Sequence, residues 1–395
     1  MSQTQALLEQ LIRIDSVNPD LVPGGAGETQ IAKFIQNWLE EKGFETHWLE
    51  NTPGRPSVVG IARGGDSRAG GGKALMLNGH IDTVTTAGMS IPALEPRVEN
   101  VDSSRVGSSR RMYGRGSYDM KSGVAAMLTA AAQAKTLGLR GDVIVACVAD
   151  EENASIGTCE VALHLTKQFK ADAAIVCEPT NLEMTVAHKG FVWANITTHG
   201  KAAHGSRPDL GVDAIAKMGA VLIELEQLAV RLAQNPKHAL LGNASVHASI
   251  ISGGEERSSY PASCSLEIER RTVPGETPEM VRAELQAIIE TCAARDPNFR
   301  ASLEMGLIRH AHECAESEAI VQTLRRHAKA VTGLEPRIAG APYWTDCAIL
   351  AEAGIPSFLY GPSGDGAHAA IEWVDLESLE TCVRVYLETI KDFCA

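Results

Sequence analysis

Apolar positions along the chain switch between two periods. Residues 3–13 and 27–42 repeat at helical spacing, the second as ETQIAKFIQNWLEEKG with Gly43 as C-cap. Short runs with strand character follow at 44–49, 57–63 and 74–80, and GGDSRAGGGK (64–73) reads as a loop between two of them. An alanine-rich helix is predicted over 122–137 with a serine cap. It is followed by a strand at 142–149, a helix near 156–167 and a strand at 172–177. Alternating strands and helices of this kind predict an α/β fold, a mainly parallel sheet with helices on both faces. The rhythm changes after residue 189. Strand 191–199, helix 212–233, strands 244–251 and 263–273, helix 277–293 and a strand near 299–307 give the order of an α+β split βαβ, ferredoxin-like unit. The α/β pattern then resumes with helices 317–331 and 346–353, strand 356–360 and helix 376–390. The expected organisation is one α/β domain in two parts, 1–189 and 306–395, interrupted by an inserted domain over 190–305.

The chain is long enough, at 395 residues, for two such domains. A net charge of −13 argues against non-specific binding to nucleic acid or anionic membranes, and no apolar run has the length of a membrane span. The N-terminal stretch lacks the basic and apolar regions of a signal peptide. Nine scattered cysteines without a CxxC pair fit a reducing cytoplasm better than a disulfide scaffold, and they offer no cysteine-ligated metal site.

Ligands of open α/β sheets bind beyond the carboxyl ends of the strands, so polar residues that follow apolar runs are the candidates for chemistry. NGHIDTV supplies His80 and Asp82, GRGSYDMKSG supplies Asp119, and VIVACVADEEN runs into Asp150, Glu151 and Glu152. CEPT gives Glu178 and GPSGDGAH gives His368. Imidazole and carboxylate without thiolate suit zinc, cobalt or manganese. The donors exceed the needs of one tetrahedral ion, whereas two ions about 3.5–4 Å apart would use them all. In an extended segment His80 and Asp82 face the same way, so Asp82 can accept the second imidazole N–H. No GxSxG elbow anchors a serine triad, and the glycines of 64–73 lack the spacing of a phosphate loop. His188, His199, His247, His310 and His312 carry no pattern and read as ordinary surface or core residues.

GHIDTV, GRGSYDMKSG, ADEENASIG, CEPT and GPSGDGAHAA resemble, in order and spacing, the co-catalytic zinc hydrolases that include acetylornithine deacetylase, succinyl-diaminopimelate desuccinylase, aminoacylase and glutamate carboxypeptidase. The resemblance implies that His80, Asp119, Glu152, Glu178 and His368 hold two Zn2+, with Asp119 bridging, and that the Asp119–Met120 peptide is cis. It implies Glu151 as general base, and His204 in HGKAAHGSRP as a hydrogen-bond donor to the oxyanion in the partner subunit's site. It further implies Arg271 in ERRTVPGE as a ligand of the substrate carboxylate, and a homodimer formed through the inserted domain. The chain departs from the family's GGxxxNxxP at GGEERSSYP, where Ser258 replaces the asparagine and Arg257 is available as a substitute. Glu178, and the segment APYWTDCAILAEAGIPSFLYGP, lean towards deacylation of N-acyl amino acids. A dipeptidase or carboxypeptidase with the same centre is the alternative. A non-catalytic binding protein of the same fold would show gaps among these residues, and none is missing.

Overall fold

The computed structural model describes residues 1–65, 72–103, 107–164, 169–234 and 237–395. Most of the predicted 64–73 loop and the last turn of the predicted 156–167 helix lie outside the described residues. The elements begin with α1 (Gln3–Arg13), α2 (Thr29–Glu41), β1 (Glu45–Leu49), β2 (Ser57–Ala62), β3 (Leu75–His80), β4 (Arg97–Ser103) and β5 (Gly107–Tyr113). Next come α3 (Lys121–Lys135), β6 (Val143–Val148), α4 (Ile156–His164), β7 (Ala173–Val176) and β8 (Met184–His188). The middle of the chain forms β9 (Gly190–His199), α5 (Ala214–Gln234), β10 (Ser245–Gly253), β11 (Ser263–Thr272), α6 (Pro278–Arg295), β12 (Ala301–Arg309) and β13 (His312–Glu313). The chain ends with α7 (Ala319–Thr332), β14 (Ile338–Ala341), α8 (Cys347–Glu352), β15 (Ser357–Leu359), β16 (Gly364–Asp365), β17 (Trp373–Asp375) and α9 (Leu376–Phe393).

Two compact units result. The first holds residues 1–186, 314–339 and 345–395; the second holds 187–313 and 340–344. In the first unit the main sheet runs β1-β2-β6-β3-β7-β15-β8. Its centre is parallel, with β6, β3, β7 and β15 in successive pairs, while β1, β2 and β8 pair antiparallel at the flanks. Every residue of β2, β3, β6 and β7 is buried, as continuous apolar runs require of strands covered on both faces. One face packs on α1, α2, α3, α7 and α9 through Leu8, Ile35, Val124, Leu324 and Tyr386; the other carries Val161 of α4 and Leu350 of α8. Strands β4, β5, β17 and β16 form a separate antiparallel sheet. The sequence pattern gave no sign of β4 or β5, because RVENVDS and GSSRRMY carry too few apolar residues to alternate.

The second unit is a four-stranded antiparallel sheet, β10-β11-β9-β12, packed on α5 and α6. Alternation along β11 sends Cys264, Leu266 and Ile268 into a core with Met218, Leu225, Leu285 and Ile289. This is the split βαβ order expected from sequence.

The serine cap predicted for α3 is replaced by another arrangement. Met120 is the N-cap, and the Ser122 hydroxyl, already inside the helix, donates back to the Tyr118 carbonyl at 3.2 Å. Gly123 lets this first turn lie against the end of β7. A Cβ there would sit 2.0 Å from the Cys177 carbonyl oxygen, which belongs to backbone and cannot swing aside. Gly123→Ala is therefore expected to destabilise the protein by about 2–3 kcal/mol through overpacking. Denaturant midpoints would measure this, and an unchanged midpoint would show that α3 can slide away from the sheet.

Candidate metal centre

Three parallel strands end side by side and deliver the predicted side chains within the first unit. His80 closes β3, with Asp82 two residues on; Asp150, Glu151 and Glu152 follow β6, and Glu178 follows β7. Asp119 precedes α3, and the Asp119–Met120 peptide is cis. His368 lies in the loop between β16 and β17 with a left-handed φ of +59°, and the loop after β6 has two more such residues, Asp150 at +67° and Ser155 at +54°. Non-glycine residues adopt that region rarely, and it recurs where a site fixes the backbone.

Asp119 sits between the two imidazoles. Its Oδ1 is 3.1 Å from His80 Nε2 and its Oδ2 3.4 Å from His368 Nε2. His80 Nε2 also lies 3.5 Å from Glu178 and 4.0 Å from Glu151, and His368 Nε2 lies 2.9 Å from Glu152. Donor atoms of His80, Asp119 and Glu152 fall within 4.8 Å of one another, and so do those of His80, Glu151 and Glu178. Nitrogen and carboxylate oxygen at such spacing fit divalent metal ions of the hard-to-borderline kind.

Electrostatics reflect the crowding. Burial raises the Glu151 pKa well above the ordinary carboxylate value, and the charges of Glu178, Asp346 and Glu152 add to it. Glu178 and Glu152 are pushed up in the same way, burial first. Burial alone would lower the His80 imidazole, but Glu178, Asp119 and Asp82 outweigh it and raise its pKa well above normal. Hydrogen bonds to Asp119 and Glu152 lift His368 to about 10.

Asp82 does less for His80, and more for its neighbours, than the sequence reading expected. His80 Nδ1 donates to the Asp82 backbone carbonyl at 3.0 Å, with the carboxylate farther off at 3.5 Å. The carboxylate instead accepts the backbone N–H groups of Glu151 at 3.2 Å and Glu152 at 3.4 Å.

Several residues that shape this centre were not singled out from sequence. Glu372 is buried and accepts backbone N–H groups from Gly116, Tyr118 and Asp119 at 2.9–3.0 Å, together with the Arg115 guanidinium at 2.7 Å. Arg115 also donates to the Ala369 carbonyl at 3.2 Å, so one ion pair clasps the Asp119 loop to the His368 loop. A lone acid between Ile371 and Trp373, four residues past His368, was the available signal for Glu372. Asp346 is buried before α8 and accepts the Thr158 hydroxyl at 2.6 Å, while burial, above all, raises its pKa to about 6. In sequence it resembles an ordinary helix cap.

The remaining predicted residues belong to the second unit. His204 is exposed, and its Nδ1 accepts the Ser206 N–H at 3.2 Å, which leaves the neutral ring's proton on Nε2. Its loop is held by Gly205 N–H donating to the Ser258 carbonyl at 2.6 Å, with exposed Arg257 next in the chain. Arg271 on β11 already grips Glu269, through Nε at 2.7 Å and Nη2 at 3.2 Å. His188 is buried, and its Nδ1 donates to the Lys189 carbonyl at 2.9 Å; burial holds its pKa down at about 3. That fits its reading as a core histidine.

Residues 76–392 match the model of Peptidase family M20/M25/M40. The chain belongs to that family. Among its curated relatives, the acetylornithine deacetylase of Myxococcus xanthus is 28% identical over 99% of this chain and 97% of its own length. The Vibrio atlanticus (strain LGP32) acetylornithine deacetylase is 26% identical over 97% of each. Solved structures share the fold. A Staphylococcus aureus tripeptidase has a TM-score of 0.77 at 20% identity, covering 99% of this chain and 98% of its own. Aminopeptidase PepT from Bacillus cereus ATCC 10987 has a TM-score of 0.78 at 17% identity, covering 100% and 98%. This M20-family chain is a metal-dependent amide hydrolase. Among the described residues, no helix is long and apolar enough to cross a membrane.

Breaking the Arg115–Glu372 clasp would leave a guanidinium buried without its anion. Glu372→Ala is expected to cost about 3–5 kcal/mol of stability. A loss below about 1 kcal/mol in chemical denaturation, within the range of an exposed pair, would show that the two loops hold without it.

Proposed function

We propose that this protein hydrolyses the amide bond of N-acyl amino acids, releasing the acyl group as a carboxylate and the amino acid as a free amine. The observation that carries this reading is Asp119, whose two carboxylate oxygens each address one imidazole while Glu152 and Glu178 flank them. In this reading His80, Asp119 and Glu178 hold one Zn2+, and Asp119, Glu152 and His368 a second; Co2+ or Mn2+ would suit the same donors. Ions so held would lower the pKa of bound water towards about 7 and polarise the scissile carbonyl.

Glu151 is the general base. Its carboxylate faces the donor cluster, with Oε2 4.0 Å from His80 Nε2, where it would meet a water held by the ions. It takes a proton from the attacking water and passes it to the departing nitrogen. Asp82 fixes the backbone from which Glu151 projects. His204, with its proton on Nε2, donates to the developing oxyanion. Arg271 receives the substrate carboxylate on the guanidinium edge that Glu269 leaves open, with Arg257 as a further cation. The deacetylase names of the curated relatives, which match along nearly the whole chain, favour an acyl amino acid over a peptide. Nine scattered cysteines without a CxxC pair support a cytoplasmic setting.

Zinc-loaded protein is expected to release amine from a panel of N-acetyl and longer N-acyl amino acids. Glu151→Gln is expected to lower kcat by ~10²–10⁴ with zinc content unchanged. Turnover of dipeptides alone would replace the deacylase reading with a peptidase, and near-normal activity of Glu151→Gln would remove the assigned base.

A homodimer through the second unit is part of the same proposal. The edge strand β10 exposes Ile250 and Ile251 at 58% and 53%, and α5 exposes Ile223 at 61%. Edge strands and apolar patches of this kind are normally covered. Ile251→Glu with Ile223→Glu is expected to give monomers by light scattering and to depress kcat, since His204 would no longer reach a partner's site. A wild-type monomer would overturn the dimer.

A further inference from the structure

We infer that Asn18, in the loop between α1 and α2, is a positioning residue for the general base and for the neighbouring metal ligand. The inference rests on the roles of Glu151 and Glu152 proposed above. Asn18 lies outside the residues matched by the family model, and its two partners are 64 and 132 positions away in the chain.

The Asn18 side chain is fully buried and spends its amide on two acids at once. Nδ2 donates to Asp82 Oδ2 at 2.8 Å and to Asp150 Oδ1 at 2.9 Å. Its own place is fixed on every side. The backbone N–H donates to the Thr83 carbonyl at 2.9 Å, the backbone carbonyl accepts Val22 N–H at 3.0 Å, and Oδ1 accepts Asp20 N–H at 3.0 Å. The acids it joins are buried as well. Asp150 has a cation: Arg55 donates to the same Oδ1 at 2.8 Å and is held by Glu28 through two bonds of 2.7 and 2.8 Å. Asp82 faces the His80 imidazole, with Oδ1 3.5 Å from Nδ1.

A neutral double donor suits this position. Two buried carboxylates brought together repel, and an aspartate at residue 18 would add a third charge; a leucine would take one donor from each of the two oxygens. The amide also sets the rotation of Asp82. With Oδ2 tied to Asn18, Oδ1 is turned to the Glu151 N–H and Oδ2 also meets the Glu152 N–H. The chain of contacts thus runs from Asn18 through one carboxylate to the two backbone amides that aim Glu151 and Glu152. The Asn18 amide bonds to Asp82 and Asp150 rather than to a proposed metal donor, and acts through Asp82.

The test compares wild type, Asn18→Ala, Asn18→Ser and the loop control Leu21→Ala at an exposed position, each read for zinc affinity by chelator competition and for kcat and KM on an N-acyl amino acid. Partners that orient metal-site residues typically change affinity or activity by ~10–100-fold. Asn18→Ala is expected to weaken zinc binding and to lower kcat within that range, with KM within about threefold. Asn18→Ser, which keeps a shorter donor, is expected to fall between it and wild type, and Leu21→Ala to match wild type. Wild-type zinc affinity and kcat in folded Asn18→Ala would overturn the inference. So would failure of both Asn18 variants to fold while Leu21→Ala folds, since that would assign Asn18 to the fold alone. If wild type hydrolyses no N-acyl amino acid, the proposed substrate falls, and the zinc affinities still decide the role of Asn18.

Discussion

Charge compensation is the constraint on which the first unit depends. Asp82, Asp119, Asp150, Glu151, Glu152, Glu178 and Asp346 gather at one end of the sheet, and most are buried. At an effective dielectric near 20, two like charges 4 Å apart cost about 4 kcal/mol, so each acid must have its own source of positive potential. Hydrogen-bond accounting divides them. Asp82 and Asp150 are satisfied by fixed donors, namely backbone N–H groups, Asn18 and Arg55. Asp346 has the Thr158 hydroxyl. Among the described residues, Asp119, Glu152 and Glu178 meet only imidazole nitrogen through their side-chain oxygens. The acids with fixed donors build the site, and the acids without them are free to bind cations.

The sheet explains how these groups meet. Parallel strands point their carboxyl ends the same way, so β3, β6 and β7 place His80, the acidic triplet and Glu178 along one edge within a few residues of the strand ends. Asp119 and His368 arrive differently, from loops linked to the small antiparallel sheet. No strand of the main sheet fixes those two residues, and the Arg115–Glu372 pair does so instead by tying one loop to the other. A ligand set drawn from two sheets needs such a clasp, since side chains must hold their geometry to well under an ångström for catalysis.

Much of this was legible in the sequence, for physical reasons that also mark where legibility ends. Strands such as VIVACV are apolar throughout because they are covered on both faces, and the acids that follow them stand out by contrast. Strands β4 and β5 carry no such run and escaped notice, as did the two- and three-residue strands β13, β16 and β17. The candidate metal donors could be collected as polar residues at strand ends. Their supports could not, because Asn18, Arg55 and Glu372 gain meaning only from partners far along the chain. The expected carboxylate–imidazole contact of Asp82 shows the same limit. Spacing placed both side chains on one side, but whether a carbonyl or a carboxylate takes the N–H depends on the turn that follows.

The acidic triplet shows what that turn accomplishes. A continuing strand would send Glu151 and Glu152 to opposite faces of the sheet. At Asp150 the chain instead enters the left-handed region, and its carbonyl accepts the N–H groups of Ala154 and Ser155. The reversal ends the alternation. Asp150 turns inward to Arg55 and Asn18, while Glu152 reaches His368 at 2.9 Å and Glu151 comes to 4.0 Å from His80. An aspartate suits the turn because its short side chain tolerates positive φ better than most and bonds locally to the backbone. Three adjacent carboxylates, costly on a straight strand, thus become one buried anchor and two side chains directed at the same centre.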